Sequence, residues 1–342
     1  MLTSLQKFNV EAPGAEFPGP VSNFGFDLGS ADIEEAADRI RPYVRRTPMV
    51  RDAALSERFN SNIYLKLELL QHTGAFKVRG AFNKLLTLGH GQLGLGVVAV
   101  SAGNHAQAVA FASRALGIKA LILMPRDTPK NYLAETKRYG ADVRLYPTMA
   151  DAFEAAKGYE TRGWAYVHPF DDPLVIAGQG TIGLEILEEV PEVTDVIVSI
   201  GGGGLSAGVA AAIKAEKPDT KIWGVETRGA HSMAAAFEAG KVVELARPAS
   251  IARTLCAPAA GKLTFAMAQR HLESVTVVDD SEAVAALFFL LERSKVLTEP
   301  ASSCTLAAAN RLKAHFGPQS NVVLILCGGN VGLTDLFDLR PV

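Results

Sequence analysis

Short runs of apolar and β-branched residues alternate along this chain with longer stretches whose apolar positions recur every three to four residues. The runs at 63–68, 97–101, 120–124, 142–146, 195–200, 221–226, 274–279 and 322–327 predict strands. Several are apolar throughout rather than at every second residue, as expected of parallel strands covered on both faces. Between them, 105–116, 151–162, 205–215, 282–297 and 302–316 carry the helical period. Such alternation predicts an α/β protein with parallel sheets, and this many strands with their helices predicts two sheets rather than one. Regular structure is expected to begin at Asp32, which with Glu35 resembles a capping box. Ile33, Ala36, Ala37, Ile40 and Val44 then share one helical face.

Upstream, Pro13, Gly14, Pro18, Gly19, Pro20 and Gly29 punctuate the chain without periodicity, so 1–31 reads as an extended arm. Lys and Arg total 34 against 36 Asp and Glu in 342 residues. That balance provides no basic face for nucleic acid or an anionic membrane, and a small molecule is the expected partner. The longest apolar stretches, 285–291 and 322–327, are too short to span a bilayer, and no secretory signal is evident. Cys256, Cys304 and Cys327 lack CxxC spacing and are odd in number, which predicts reduced thiols in a cytoplasmic protein without disulfides or zinc.

The sharpest local feature is Ile200-Gly201-Gly202-Gly203-Gly204-Leu205, placed between a predicted strand and a predicted helix. Consecutive glycines let backbone N–H groups converge, and the helix N-terminus adds partial positive charge, so the segment reads as a phosphate cradle. Two phosphates compete for it. Gly202, Gly204 and Ala207 also fit a G-x-G-x-x-A dinucleotide fingerprint, with Glu226 about twenty residues on. That reading leaves a second segment unexplained.

The second segment is Gly74-Ala75-Phe76-Lys77-Val78-Arg79-Gly80-Ala81. It resembles the lysine motif of the fold-type II pyridoxal-phosphate enzymes, and most closely that of the threonine and serine dehydratases. Ser101-Ala102-Gly103-Asn104-His105, His168-Pro169-Phe170-Asp171-Asp172, Gly178-Gln179-Gly180-Thr181, the four glycines, Glu299-Pro300-Ala301 and Cys327-Gly328-Gly329-Asn330 follow in family order. The resemblance runs from about residue 32 to 335.

It implies pyridoxal 5′-phosphate as cofactor, a tryptophan synthase β-like two-domain fold, and a homodimer or higher homo-oligomer. The implied large domain is 32–96 with 167–342, and the small one 97–166, with no regulatory domain. Lys77 becomes the lysine that binds the cofactor covalently and later takes the Cα proton. Phe76 would pack on the pyridine ring, Asn104 would donate to the phenolic oxygen, and Gly201, Gly202, Gly203, Gly204 and Leu205 would hold the phosphate. Glu299 would lie near the ring, and Cys327 opposite the pyridine nitrogen, where a neutral thiol makes a weaker electron sink. Ser101, Ala102, Gly103, Asn104 and His105 would bind the substrate carboxylate through a helix N-terminus.

Four features depart from the family pattern. Ala75 replaces a serine, and Ala102 stands where racemases carry a serine on the opposite face of the substrate. Arg253-Thr254-Leu255 stands where relatives read Ala-Asp-Gly, and Ser232 offers no carboxylate to a cation near Glu226, so no metal is expected. The expected activity is elimination of water from a β-hydroxy amino acid such as L-threonine or L-serine, giving a 2-oxo acid and ammonia. A dehydratase for 3-hydroxyaspartate or a bulkier substrate, an amino-acid racemase and a non-catalytic metabolite binder are the alternatives. Arg228, His231 and Arg253 are the candidates for a second substrate carboxylate.

Overall fold

A computed structural model describes residues 28–89 and 91–339. Most of the expected arm, 1–27, lies outside the described residues. The strands are β1 (Met49–Arg51), β2 (Asn62–Lys66), β3 (Val97–Val100), β4 (Ala120–Pro125) and β5 (Asp142–Tyr146), then β6 (Ala165–Tyr166), β7 (Asp195–Ser199), β8 (Lys221–Thr227), β9 (Ser274–Val278) and β10 (Asn321–Ile325). Helices α1 (Ser30–Ile40), α2 (Ala53–Phe59), α3 (Val78–Thr87), α4 (Asn104–Ala115), α5 (Lys130–Arg138) and α6 (Met149–Thr161) occupy the first half. Then follow α7 (Pro173–Glu189), α8 (Gly204–Glu216), α9 (Ser232–Ala239), α10 (Lys262–His271), α11 (Asp280–Phe289) and α12 (Pro300–Leu312).

Two sheets form, as the strand pattern predicts. One has six strands in the order β1-β2-β10-β7-β8-β9, and the other has four in the order β5-β4-β3-β6. Every pair is parallel except β1 with β2, a short edge pairing that apolar periodicity does not reveal. The apolar character of β3 and β4 follows from the pleat, which sends successive side chains to opposite faces. Val97, Ala99, Ile122 and Met124 join one core with α3 and α4, while Val98, Val100, Leu121 and Leu123 join another with α6. None of the described helices is long and apolar enough to cross a membrane.

Two helix ends differ from expectation. Helix α1 begins at Ser30, so Asp32 is its third residue and accepts the Gly29 N–H at 2.9 Å, instead of capping with Glu35. The stretch read as one helix at 282–297 is α11 followed by a π-helical turn, Leu290–Ser294, which Lys295 ends at φ 60°.

A buried ionic cluster joins β2, α3 and α7. Arg79, with no exposed side-chain surface, donates to both Glu68 oxygens at 2.9 and 2.8 Å and to both Glu185 oxygens at 2.7 and 3.0 Å. Lys66, equally buried, pairs with Glu185 at 2.7 Å and donates to Thr47 O at 2.8 Å. Two cations thus meet two carboxylates inside the protein, two residues beyond Lys77.

Candidate active site

The chain reaches Lys77 through a tight path. Thr73 and Gly74 take left-handed φ values of 62° and 70°, which turn the backbone out of the last short helix before α3. The Phe76 N–H then donates to Cys327 O at 3.0 Å, and Ala75 bridges Gly328, so the lysine segment is stitched to the stretch after β10. Lys77 opens α3, and its Nζ donates to Pro169 O at 2.7 Å. Burial lowers its ammonium to about 8, with nearby Glu299 acting the other way. A substantial neutral fraction is therefore present near neutral pH.

The four glycines join β7 to α8, as the sequence places them. The N–H groups of residues 201–205 have no protein partner among the described residues, and they lie at the N-terminus of a 13-residue helix. Only Gly203 needs a left-handed backbone, at φ 97°. A Cβ on Gly202 would fall 2.2 Å from the Phe170 ring, and one on Gly204 would fall 2.8 Å from Phe170 O. Packing against the turn at 168–172 thus demands these two glycines, whatever the loop binds. Thr264 braces the loop from α10 by donating to Gly202 O at 2.6 Å.

Glu299 lies buried just before α12 and is held on several sides. It accepts from Asn104 Nδ2 at 2.9 and 3.2 Å, from Thr254 Oγ1 at 2.9 Å and from the Asn330 N–H at 3.2 Å. Burial raises its carboxyl above the ordinary range, opposed by those hydrogen bonds. Asn104 also accepts from Asn330 Nδ2 at 2.8 Å, and Tyr132 of α5 donates to Asn330 O at 2.8 Å. Cys327 meets Ser302 Oγ at 3.3 Å, and burial, with Glu299 adding, pushes its thiol to about 12. It is a neutral thiol at physiological pH.

The loop at 101–105 ends β3 and opens α4. Ser101 Oγ accepts the Gly103 N–H at 3.1 Å, while the N–H groups of Asn104 and His105 have no partner among the described residues. The His105 ring faces inward, with Nε2 2.9 Å from Val167 O, and burial lowers it to about 3. Its N–H, not its imidazole, faces any ligand at this helix end. A Cβ on Gly103 would lie 3.3 Å from the Thr254 methyl and 4.0 Å from the Tyr132 ring, so these two side chains wall the loop. Tyr132 is not singled out by sequence, whereas Thr254 lies in the segment that departs from the family's Ala-Asp-Gly.

The structure removes the dinucleotide reading. Both Glu226 oxygens accept backbone N–H groups, from Met233 at 2.9 Å and Ala234 at 2.8 Å, so this buried acid caps α9 and is not presented to a ribose. Of the second-carboxylate candidates, Arg228 is paired outward with Asp279, and His231 Nδ1 accepts the Gly229 N–H at 3.2 Å. Arg253 is exposed, beside Thr254.

These residues fit pyridoxal phosphate. Unpaired N–H groups at a helix start suit a phosphate, a buried amine near neutrality suits an aldehyde, and the turn at 168–172 touches both. Comparison with known proteins agrees. The family model described as "Pyridoxal-phosphate dependent enzyme" matches residues 40–328. The L-threonine ammonia-lyase of Thermotoga maritima is 42% identical over 303 residues, 88% of this chain and 75% of that protein. The catabolic L-threonine dehydratase TdcB of Escherichia coli K12 is 39% identical over 318 residues, 90% of this chain and 95% of its own. Among solved structures, maize serine racemase superposes with a TM-score of 0.87 at 37% identity, covering 91% of this chain and 96% of that one. A threonine deaminase from T.th. gives 0.84 at 38% identity, covering 89% and 99%. The chain belongs to the fold-type II pyridoxal-phosphate dependent enzymes, in the family of the threonine and serine dehydratases.

Proposed function

We propose that this enzyme is an ammonia-lyase that dehydrates L-threonine, L-serine or a close β-hydroxy amino acid to a 2-oxo acid and ammonia. The observation that supports this most directly is a half-buried Lys77, its amine held by Pro169 O, joined through one turn to a loop of N–H donors that have no partner among the described residues. Pyridoxal phosphate, when bound, supplies an electron sink that acidifies the substrate Cα–H. Lys77 is the residue that attaches it and the base that takes the Cα proton at Nζ. Residues 201–205 hold the phosphate through their N–H groups. The N–H groups of Asn104 and His105 orient the substrate carboxylate, with Ser101, Ala102 and Gly103 forming the loop beneath. Phe76 packs at the ring, while Asn104 and Glu299 form a polar pair beside it. Cys327 stays protonated and carries no charge with which a ring nitrogen could pair, a weaker sink that suits elimination better than transamination. Loss of the proton and the β-hydroxyl as water releases an enamine, which tautomerises and hydrolyses to the keto acid and ammonia.

The neutral amine is the reactive form, and it grows as pH rises through the Lys77 value of about 8. Linkage of added pyridoxal phosphate to the apoprotein should therefore accelerate with pH and level off above about 8, well before an ordinary lysine near 10.4 would. Stopped-flow absorbance across pH 6 to 10 measures this, and a rate still climbing steeply at pH 10 would contradict it.

The likeness to serine racemase favours a second reading, which Ala102 opposes. Racemisation returns a proton to the face of Cα opposite Lys77, and an alanine there has none to give. L-Serine should yield keto acid with little D-serine, whereas Ala102→Ser should raise the D-product. Chiral chromatography of the residual amino acid, run beside a keto-acid assay over a panel of β-hydroxy amino acids, tests both reading and substrate. Substantial D-serine from the unmodified enzyme would reverse the choice. A homodimer or larger homo-oligomer and a cytoplasmic setting complete the proposal; sedimentation tests the first, and three free thiols support the second.

A further inference from the structure

We propose that His168 is a positioning residue that couples the lysine to the phosphate cradle by acting as a hydrogen-bond acceptor at Nδ1. Its Nδ1 accepts the N–H of Phe170 at 3.2 Å and that of Asp171 at 2.7 Å, which closes the turn at 168–172. Every residue that follows in this turn has a separate task. Pro169 O receives the Lys77 ammonium at 2.7 Å. The Phe170 ring covers Gly202, and its carbonyl abuts Gly204. Asp171 accepts the N–H groups of Lys262, Leu263 and Thr264 at 3.0, 3.0 and 3.2 Å, and Thr264 in turn holds Gly202 O. Asp172 caps α7 through Leu174 and Val175 and pairs with Lys84 of α3 at 2.6 Å.

One side chain thus fixes the backbone to which both halves of the site are tied. The imidazole also packs edge-on against Phe170, with centroids 4.7 Å apart, and against Tyr166 at 5.8 Å. Two N–H donors converging on Nδ1 place the ring proton on Nε2. Burial lowers His168 to about 4, so Nδ1 keeps its lone pair at physiological pH.

Acceptor and proton-transfer roles part cleanly under substitution. Asparagine places an oxygen close to the position of Nδ1, glutamine places one closer to that of Nε2, and leucine offers no acceptor. Two measurements on the holoenzyme and its apoprotein read the two halves of the site. One is affinity for pyridoxine 5′-phosphate, which carries the phosphate but no aldehyde and so reports on the cradle alone. The other is the fraction of bound pyridoxal phosphate that borohydride fixes to the Lys77 peptide.

Leaving two N–H groups without an acceptor should weaken pyridoxine phosphate binding about 10- to 100-fold in His168→Leu and His168→Gln. The same variants should lose borohydride-fixable cofactor at Lys77, while His168→Asn keeps both readouts near those of the parent. If glutamine matches asparagine, or if leucine leaves both readouts unchanged, the coupling is wrong. Loss in the asparagine variant equal to that in leucine would also overturn it, since a ring proton would then matter. Should the leucine variant fail to fold, the asparagine–glutamine contrast decides alone. A parent protein that binds no pyridoxal phosphate would instead refute the cofactor assignment on which this inference rests.

Discussion

Lys77→Ala should lose essentially all turnover, a fall of about 10²- to 10⁴-fold from removal of the base alone, deepened by loss of covalent attachment. Burial holds this amine near neutrality while Pro169 O orients it. Alanine fills the start of α3 without strain, since Lys77 is already helical at φ −55° and ψ −25°. The fold and the glycine cradle should therefore survive, and pyridoxal phosphate should still bind, but reversibly. The parent should be yellow and become permanently labelled on the Lys77 peptide after borohydride. The variant should lose its chromophore on dialysis. A colourless parent that cannot be reconstituted would remove the basis for every role assigned to the site.

Arg79→Met should cost about 3–5 kcal/mol of stability, because it leaves Glu68 buried with its principal countercharge gone. Glu68 and Arg79 are both without exposed surface, and that carboxylate also accepts from the Thr47 hydroxyl, a neutral donor. Removing both charges together, in Arg79→Met with Glu68→Gln, should recover part of the loss. An unpaired buried charge costs more than the pair it came from contributes. Urea unfolding of both singles and the double forms the cycle that measures this. A single-variant cost below about 1 kcal/mol, the value of an exposed pair, would show that water reaches Glu68.

Strands covered on both faces are plain in the sequence, where Val97, Val98, Val100 and their counterparts leave no ambiguity, and the partly exposed β5 is legible too, from its β-branched and aromatic residues. The edges β1 and β6, of three and two residues, carry no period to read. Helix α1 starts two residues before the expected position, because Asp32 caps from inside the first turn by accepting the Gly29 N–H. In the site, local motifs marked Lys77, the glycine loop and Glu299, because each combines special residues within a few positions. Tyr132 carries no sequence signal, and the roles of Thr254 and the Asn330 N–H as donors to Glu299 do not show within their own segments, since these residues come from three distant stretches that only the topology unites. The glycine run was legible for a partly different reason than the one inferred. The N–H groups without a partner among the described residues agree with the cradle reading, but Phe170 accounts for two of the missing side chains.

Strand β10 lies between β2 and β7, pairing Asn321 with Asn62 on one side and Val322 with Asp195 on the other. On a ribosome this order has a cost in time. The four-stranded sheet draws all its strands from 97–166 and can close while synthesis continues. The six-stranded sheet cannot, because the strand at its centre is made 255 residues after Lys66, at position 321 onward. At about 5–20 residues per second, β2 waits roughly 10–50 seconds with one edge open. Until then Phe76 has no Cys327 carbonyl to bind, and the lysine segment has no fixed place. Nascent chains of this enzyme spend that interval with the facing edges of β2 and β7 open, the condition in which holding chaperones are recruited and aggregation competes.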